Sequence, residues 1–298
     1  MPVGRVGGHG MGSDLTPCPP TLSMCAMADA ARPARLGARS VAVVLAVATL
    51  LATRGAEPAE SRIASPPLQP GSLLVFTKVG TLPSGQPAFR HDSIPVATLA
   101  LRELGRQNGF RVTVSDDSGS FTDKSLRRFD AVVFLLTTGD VLDTRQQAAL
   151  VRFVHAGGGF VGIHSASDTE HGWPFYAGLV GAVFRVHSSV QRATVVVEDR
   201  SSESTRLIPA HWTRTDEWYA FERNPRRHVH VLARLDETTY APGDASMPDH
   251  PISWCHRFRG GRSWYTAMGH TAGSYGEPLF RTHLLGGILW AARLRGWC

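Results

Sequence analysis

The sequence predicts a doubly wound α/β fold, in which helices flank a mainly parallel β-sheet. Two observations carry this prediction. From residue 71 onward, strand-like and helix-like segments alternate, which is the order expected of α/β proteins. The early strands are also rich in apolar residues, as is typical of parallel strands that are buried on both faces. Because repeated strand, helix, strand units imply right-handed crossovers, and no long linker or internal repeat follows residue 70, we expect one domain over residues 71–298.

Four strands are predicted in the first half of this domain. They cover residues 72–77, 110–114, 131–136 and 160–164. A helix is predicted over residues 93–108, where apolar side chains recur at helical spacing and Gly109 ends the pattern. Asp143 stands three residues before Gln146, which resembles a capping box at the start of a second helix that ends near His155. We expect the strands at 110–114 and 131–136 to be covered on both faces.

The second half of the domain is richer in strands. They are predicted at residues 194–198, 228–235, 252–258 and 262–268. The last two form an additional β-hairpin across the turn Arg259-Gly260-Gly261. A final helix begins at Pro278, because proline suits the first helical position, and it continues to about residue 294.

Composition excludes several classes of protein. Hydrophobic residues make up 43% of the chain and only 4 residues are Cys, which excludes a disordered chain and a disulfide-dense scaffold. The formal net charge is +6, but the arginines are scattered, and their densest cluster, residues 223–227, is short and includes Pro225. Binding duplex nucleic acid requires a continuous basic face. We therefore expect no nucleic-acid partner.

Residues 1–70 differ from the rest of the chain, and we expect them to form a disordered N-terminal segment that contains an export signal. Arg32, Arg35 and Arg39 precede an apolar run at residues 41–52, and small and polar residues follow it. The run is shorter than the roughly 20 apolar residues that span a bilayer. We expect an exported protein, periplasmic or extracellular, with its signal at about residues 27–59.

The alternative is a chain that stays anchored to the membrane by this segment. After processing, no stable membrane span is expected. Only Cys255 and Cys298 would then remain, and these two residues can pair in an oxidising compartment.

Three histidines follow predicted strands. Ligands of open α/β sheets bind at the carboxyl ends of the strands. His91 lies in the loop after the first strand, His164 ends the fourth strand, and His270 follows the hairpin. We therefore expect these side chains to converge on one crevice. The stretch Gly162-Ile163-His164-Ser165-Ala166 has the form of a strand-to-helix nucleophile elbow, with His164 at the position of the nucleophile.

Six ordered motifs resemble the trehalose-utilisation, or ThuA-like, family. They are FRHDSI (89–94), GGGFVGIHSASDT (157–169), GAVFRVH (181–187), DEWYAF (216–221), PISW (251–254) and GRSWYTAMGH (261–270). The resemblance implies a fold similar to class I glutamine amidotransferases, of flavodoxin-like type, and a role in handling trehalose and related sugars, including 3-keto forms. Those amidotransferases require an elbow Cys and a His-x-Glu pattern. Here His164 replaces the thiol and Thr271-Ala272 follows His270, so we expect no glutamine hydrolysis.

The motifs supply two groups of candidate site residues. Acid/base chemistry is expected of His91, His164, His270, Asp216 and Glu217, because imidazole and carboxyl groups exchange protons with bound sugars. Substrate contacts are expected of Arg90, Ser165, Asp168, His187, Trp254 and Tyr265, because aromatic faces with polar edges match sugar rings. In the most specific form of this hypothesis, His164 and His270 flank the reacting carbon of the sugar, while Asp216 or Glu217 orients the sugar hydroxyls.

The sequence leaves the cofactor open. A divalent metal is one alternative to metal-free acid/base chemistry, with His91, His164, His187 and His270 as candidate ligands. The main hypothesis is an exported enzyme that acts on a small sugar. The competing hypotheses are a non-catalytic carbohydrate-binding module on the same scaffold, and a subunit that serves a partner oxidoreductase. The fold alone does not decide between them.

Overall fold

Eleven strands and five helices make up the described part of the chain, residues 71–82 and 84–298 of a computed structural model. The strands are β1 (Ser72–Phe76), β2 (Arg111–Ser115), β3 (Ala131–Leu135), β4 (Gly159–Ile163), β5 (Phe184–His187), β6 (Gln191–Val197), β7 (His211–Asp216), β8 (Tyr219–Phe221), β9 (His230–Asp236), β10 (Pro251–Phe258) and β11 (Gly261–Thr266). The helices are α1 (Ile94–Asn108), α2 (Asp123–Leu126), α3 (Thr144–His155), α4 (Pro174–Val180) and α5 (Pro278–Ala291). The predicted export signal lies outside the described residues.

Nine of the described strands form one sheet in the order β2-β1-β3-β4-β11-β10-β9-β6-β7. Neighbours from β2 to β11 pair in parallel, and neighbours from β11 to β7 pair antiparallel. The parallel half has the strand order of flavodoxin-like sheets. The α/β fold class is therefore confirmed, with a sheet that is mixed because the hairpin β10–β11 joins its two halves. The strands β5 and β8 form a separate two-stranded sheet.

The centre of the core is built on β1, β3 and β4, each of which is buried along its whole length. This burial explains why their sequences read as apolar runs. The expectation that β2 is covered on both faces is wrong. It is the edge strand of the sheet, and both Arg111 and Thr113 are exposed.

The predicted end of α1 and start of α3 are confirmed, whereas α5 ends at Ala291 and not near residue 294 as predicted. Helix α1 stops at Gly109, whose φ of +74° places it in the left-handed region that closes helices. At the start of α3, the Asp143 carboxylate accepts a hydrogen bond from the Gln146 backbone N–H at 2.9 Å, and the Gln146 side chain accepts one from the Asp143 N–H at 2.8 Å. This reciprocal pair is a capping box.

Cys255, on β10, and Cys298 form a disulfide, with their Cα atoms 6.5 Å apart. The pairing anticipated from the sequence is therefore present. Among the described helices, none combines the length and the apolar character required to cross a bilayer.

Candidate functional site

The turn after β4 presents His164 as the sequence predicts. Its φ is +53°, a left-handed conformation that is uncommon for a residue other than glycine and typical of functional turns. A 3-10 turn, His164–Asp168, follows directly. Gly162 is required before the turn, because a Cβ atom there would lie 2.8 Å from the ring of Tyr265. The Tyr265 hydroxyl donates to the carbonyl of His164 at 2.8 Å and thereby holds the turn.

Four side chains from four different loops converge beside this turn. His91 precedes α1, Glu217 connects β7 to β8, and His270 follows β11. One possible metal-ligating atom from each of these residues and from His164 lies within 4.8 Å of the other three. We call these four residues the histidine–glutamate cluster. The convergence of His91, His164 and His270 agrees with the sequence analysis.

Hydrogen bonds fix which ring nitrogens of the cluster carry protons. The Nδ1 of His164 lies 2.7 Å from the carbonyl oxygen of Ala267. It must donate this bond, so the Nε2 lone pair of a neutral His164 faces the cluster. The Nδ1 of His270 lies 3.2 Å from this Nε2 and 3.1 Å from Oε2 of Glu217. Both neighbours are acceptors, so Nδ1 of His270 is the donor.

Charge in the cluster centres on Glu217. Burial raises the pKa of Glu217, but the hydrogen bond that the carboxylate accepts from Nδ1 of His270 outweighs this effect, and the pKa is held well below its usual range. The same hydrogen bond to Glu217 raises the pKa of His270 against the opposing effect of burial. Burial, together with the neighbouring imidazoles of His164 and His270, lowers the pKa of His91 to about 2. The cluster therefore holds an ionised carboxylate beside a neutral His91.

The cluster opens into a cavity of about 360 Å³, which we call the cluster cavity. Its volume is within the range of small-molecule sites. It is lined by Phe89, His91, Asp168, Phe184, His187, Glu217, Tyr219 and His270. Phe89 is 63% exposed and its ring packs edge-on against His91 at 4.8 Å. The ring of Tyr219 lies 4.2 Å from that of His164.

A family model described as trehalose utilisation, ThuA, matches residues 81–291. The chain belongs to the ThuA family. The matched region contains all four residues of the cluster. None of the curated proteins matches the chain.

Two solved ThuA-like structures are similar to this ThuA domain. The protein from Bacteroides uniformis is 20% identical, with a TM-score of 0.62, and the match covers 77% of this chain and 94% of that one. The protein from Parabacteroides merdae is 18% identical, with a TM-score of 0.61, and the match covers 77% and 92% of the two chains. At these identities the likeness shows the fold.

Asp216 takes a different place in the ThuA domain from the one expected. It is fully buried and forms an ion pair with Arg214. Its carboxylate accepts hydrogen bonds from the backbone N–H groups of Glu217 at 3.0 Å, Gly269 at 2.8 Å and His270 at 3.0 Å. The expectation that Asp216 orients sugar hydroxyls is therefore corrected: Asp216 positions the backbone that carries Glu217 and His270.

Trp254 and Tyr265 are core residues of the ThuA domain. Both are fully buried, because β10 and β11 lie inside the sheet. The indole of Trp254 donates to the carbonyl of Val180 at 2.8 Å, and Tyr265 supports the elbow as described above. The expectation that these rings stack on a sugar is corrected.

The remaining predicted contact residues lie at different depths. Asp168 and His187 line the cluster cavity. The hydroxyl of Ser165 is buried 3.4 Å from Nδ1 of His91. Arg90 is exposed and does not line this cavity.

Two cavity-lining aromatic residues, Phe89 and Phe184, are absent from the residues that sequence reasoning selected. Both lie within the family motifs, Phe89 next to Arg90 and Phe184 in the segment 181–187, so the motifs carried a signal for them.

Proposed function

We propose that this ThuA-family protein is a metal-dependent enzyme that acts on a sugar, with a divalent cation held by the histidine–glutamate cluster. The observation that carries the proposal is the approach of four ligating atoms to within 4.8 Å of one another beside a cavity of about 360 Å³. Three imidazoles and one carboxylate suit a first-row divalent metal such as zinc, manganese or iron.

The spacing of the atoms supports a metal. A first-row cation binds nitrogen and oxygen at about 2.0–2.1 Å, so the ligands of a tetrahedral site lie about 3.3 Å apart. The distance from Nε2 of His164 to Oε2 of Glu217 is 3.4 Å, and that from Nδ1 of His270 is 3.2 Å to His164 and 3.1 Å to Glu217. These three separations match the edges of such a site. His270 must lose its Nδ1 proton for this atom to bind the cation.

The surroundings of His164 also support a metal ligand. Histidine ligands commonly donate their second ring N–H to a carbonyl or carboxylate, which fixes the ring and its tautomer. The Nδ1 of His164 makes this bond to the Ala267 carbonyl. With one carboxylate among neutral imidazoles, a bound divalent cation keeps a net positive charge. This charge would polarise a substrate carbonyl.

The substrate class follows from the family and the cavity. The family is described by trehalose utilisation, and the exposed Phe89 ring at the cavity offers an apolar face to a sugar. We assign the substrate as a sugar that contains a carbonyl, such as a keto-glycoside. We assign His187 as the base that exchanges a proton with the carbon next to that carbonyl. Its Nδ1 is held by the Ser188 carbonyl at 2.9 Å and by Glu217 at 3.1 Å, so Nε2 is left as the base.

Export is the second part of the proposal. It is supported by the signal pattern in residues 27–59 and by the disulfide between Cys255 and Cys298, because disulfides persist mainly in oxidising compartments. Mass spectrometry checks the export proposal, with the full-length chain expressed in a host that exports and processes proteins. A mature chain that starts after the apolar run, without free thiols, is expected. A full-length chain with two reduced cysteines at these positions would contradict it.

Turnover tests the enzyme proposal. The purified protein is incubated with trehalose and with 3-keto-trehalose, after chelation and after readdition of zinc or manganese, and the products are analysed. We expect conversion of the keto-sugar only with metal present, and none by the folded variant His164→Ala. His230→Ala is the matched control, because His230 is an exposed residue paired with Asp199. Sugar binding without turnover in every metal condition would instead identify a carbohydrate-binding module.

A further inference from the structure

A second cavity, of about 560 Å³, adjoins the cluster cavity. We call it the basic cleft. Its walls come from three segments of chain, within residues 171–177, 181–183 and 222–228. The polar and aromatic side chains that matter here are His171, Trp173, Glu222, Arg223 and Arg227.

The two cavities share a wall. Asp168 lines the cluster cavity, and its carboxylate lies 2.6 Å from Nε2 of His171, which lines the basic cleft. Val183 and Phe184 are consecutive residues that line the cleft and the cluster cavity respectively. A ligand that crosses the rim of this wall would contact both cavities.

The distance between the cavities along β8 is short. Tyr219 lines the cluster cavity and Glu222 lines the cleft. Three residues of extended chain span about 10 Å.

The cleft has an excess of positive charge. Among the described residues, neither Arg223 nor Arg227 has a carboxylate within ion-pair distance, whereas Arg226 between them is paired with Glu198 at 2.7 Å and with Asp249 at 2.6 Å. Of the three arginines in residues 223–227, Arg226 therefore holds the loop, and Arg223 and Arg227 are unpaired at the cleft within the described part of the chain. Glu222 is the opposing charge on its wall.

His171 also lines the cleft, but it is paired with Asp168 at 2.6 Å, so the excess of positive charge comes from the two arginines. The hydrogen bond to Asp168 raises the pKa of His171 against the effect of burial. Its imidazole therefore keeps a proton to higher pH than an ordinary histidine.

We propose that the basic cleft binds an anionic group, a carboxylate or a phosphate, carried by the sugar whose carbonyl end enters the cluster cavity. The proposal rests on the proposed function, since it assigns the substrate of that site as an acidic sugar. Guanidinium groups suit such anions because their planar N–H donors match two oxygens at once. The proposal also gives a role to the arginines of residues 223–227. A short group of arginines is too small for a nucleic acid, which needs a continuous basic face, but it suffices for one anionic group in a concave cleft.

Calorimetric binding to the full chain tests this. The probes are glucose, glucuronate and glucose 6-phosphate, each titrated at two ionic strengths. We expect at least one of the two anionic sugars to bind about tenfold or more tightly than glucose, with a preference that weakens at higher salt. Comparison of the two anionic probes identifies the carboxylate or the phosphate as the group preferred.

The double variant Arg223→Gln/Arg227→Gln should bind all three sugars with the affinity of glucose. Arg102→Gln is the matched control, because Arg102 is an exposed arginine of α1 that does not line the cleft. It should leave the preference unchanged.

Three outcomes overturn the proposal: equal binding of all three sugars by the unaltered protein, a preference that persists in the double variant, and no binding of any probe. A zinc titration of the same proteins distinguishes a failure of the cleft proposal from a failure of the proposed metal site. A double variant that binds zinc normally but has lost the anion preference supports the cleft. An unaltered protein that prefers anionic sugars but binds no metal would remove the metal site alone.

Discussion

Replacing Asp216 by Asn tests whether a buried ion pair positions the histidine–glutamate cluster. Oδ1 of Asp216 accepts the backbone N–H groups of Glu217 and His270, while Oδ2 accepts that of Gly269 and faces the Arg214 guanidinium. An amide has one acceptor oxygen and one NH₂ group. In either orientation, the NH₂ group of Asn would face two donors. The substitution therefore removes a charge and also breaks backbone contacts to the cluster.

The expected cost is a loss of about 3 kcal/mol in the free energy of unfolding. Removing one partner of a buried ion pair typically costs about 3–5 kcal/mol. The lower value applies because Glu277 stays paired with Arg214, with Oε2 3.0 Å from Nε. Domains of this kind are stable by about 5–15 kcal/mol, so the variant should fold.

Urea denaturation measures this change, since a shift of the midpoint at constant slope reports stability. Asp123→Asn is the matched control. Its ion pair with Arg152 joins two largely exposed side chains, so its loss should cost at most about 1 kcal/mol. Metal binding should weaken in Asp216→Asn alone. If the two variants lost equal stability, or if Asp216→Asn bound metal like the unaltered protein, the positioning role would be refuted.

Three further predictions follow from the structure. Cys298→Ser removes a disulfide with a sequence separation of 43 residues. It should lower the free energy of unfolding by up to about 4 kcal/mol, because the disulfide restricts the unfolded chain. A melting temperature equal to that of the unaltered protein would contradict this prediction. Zinc affinity should fall as pH falls, by up to about tenfold per pH unit. The hydrogen bond to Glu217 raises the pKa of His270, so a proton on His270 competes with the metal. Calorimetry that gives the same zinc affinity at pH 6 and pH 8 would exclude this competition. Phe89→Ala should change stability by less than about 0.5 kcal/mol, since Phe89 is 63% exposed, yet weaken sugar binding about threefold to tenfold, and unchanged sugar affinity would remove its proposed contact.

The fold was predictable where burial leaves a periodic or continuous signal. Strands β1, β3 and β4 are apolar throughout because the sheet is covered on both faces there. The short strands β5 and β8, of 4 and 3 residues, carry too few residues for a pattern. Strand β7 alternates between exposed and buried residues, but its polar threonines and arginine hide the alternation.

The candidate site was predictable from the strand ends, since these fix where a loop begins. The sequence therefore indicated that His91, His164 and His270 meet. Asp216 and Glu217 are neighbours in one motif, and only the structure shows that Glu217 lines the cavity while Asp216 lies in the core. Their separation follows from the alternation of side chains along extended chain, but the direction of the alternation depends on tertiary packing.

Aromatic residues were assigned least accurately. An aromatic side chain serves equally well in a core and on a binding surface, and the sequence does not say which strands lie inside the sheet. Trp254 is on β10, which has β9 and β11 on either side, so it is buried. Phe89 lies in a loop, and its exposed ring lines the cluster cavity.

Calorimetric titration of the chelator-treated protein with zinc and with manganese tests whether the histidine–glutamate cluster binds a metal. For comparison, His164→Ala and His230→Ala are titrated in the same way. We expect one metal site per chain in the unaltered protein and in His230→Ala. In His164→Ala we expect an affinity lower by more than about 100-fold, since even the loss of a ligand's hydrogen-bond partner costs about 10–100-fold. No metal bound by the unaltered protein, or equal affinity in His164→Ala, would contradict the account.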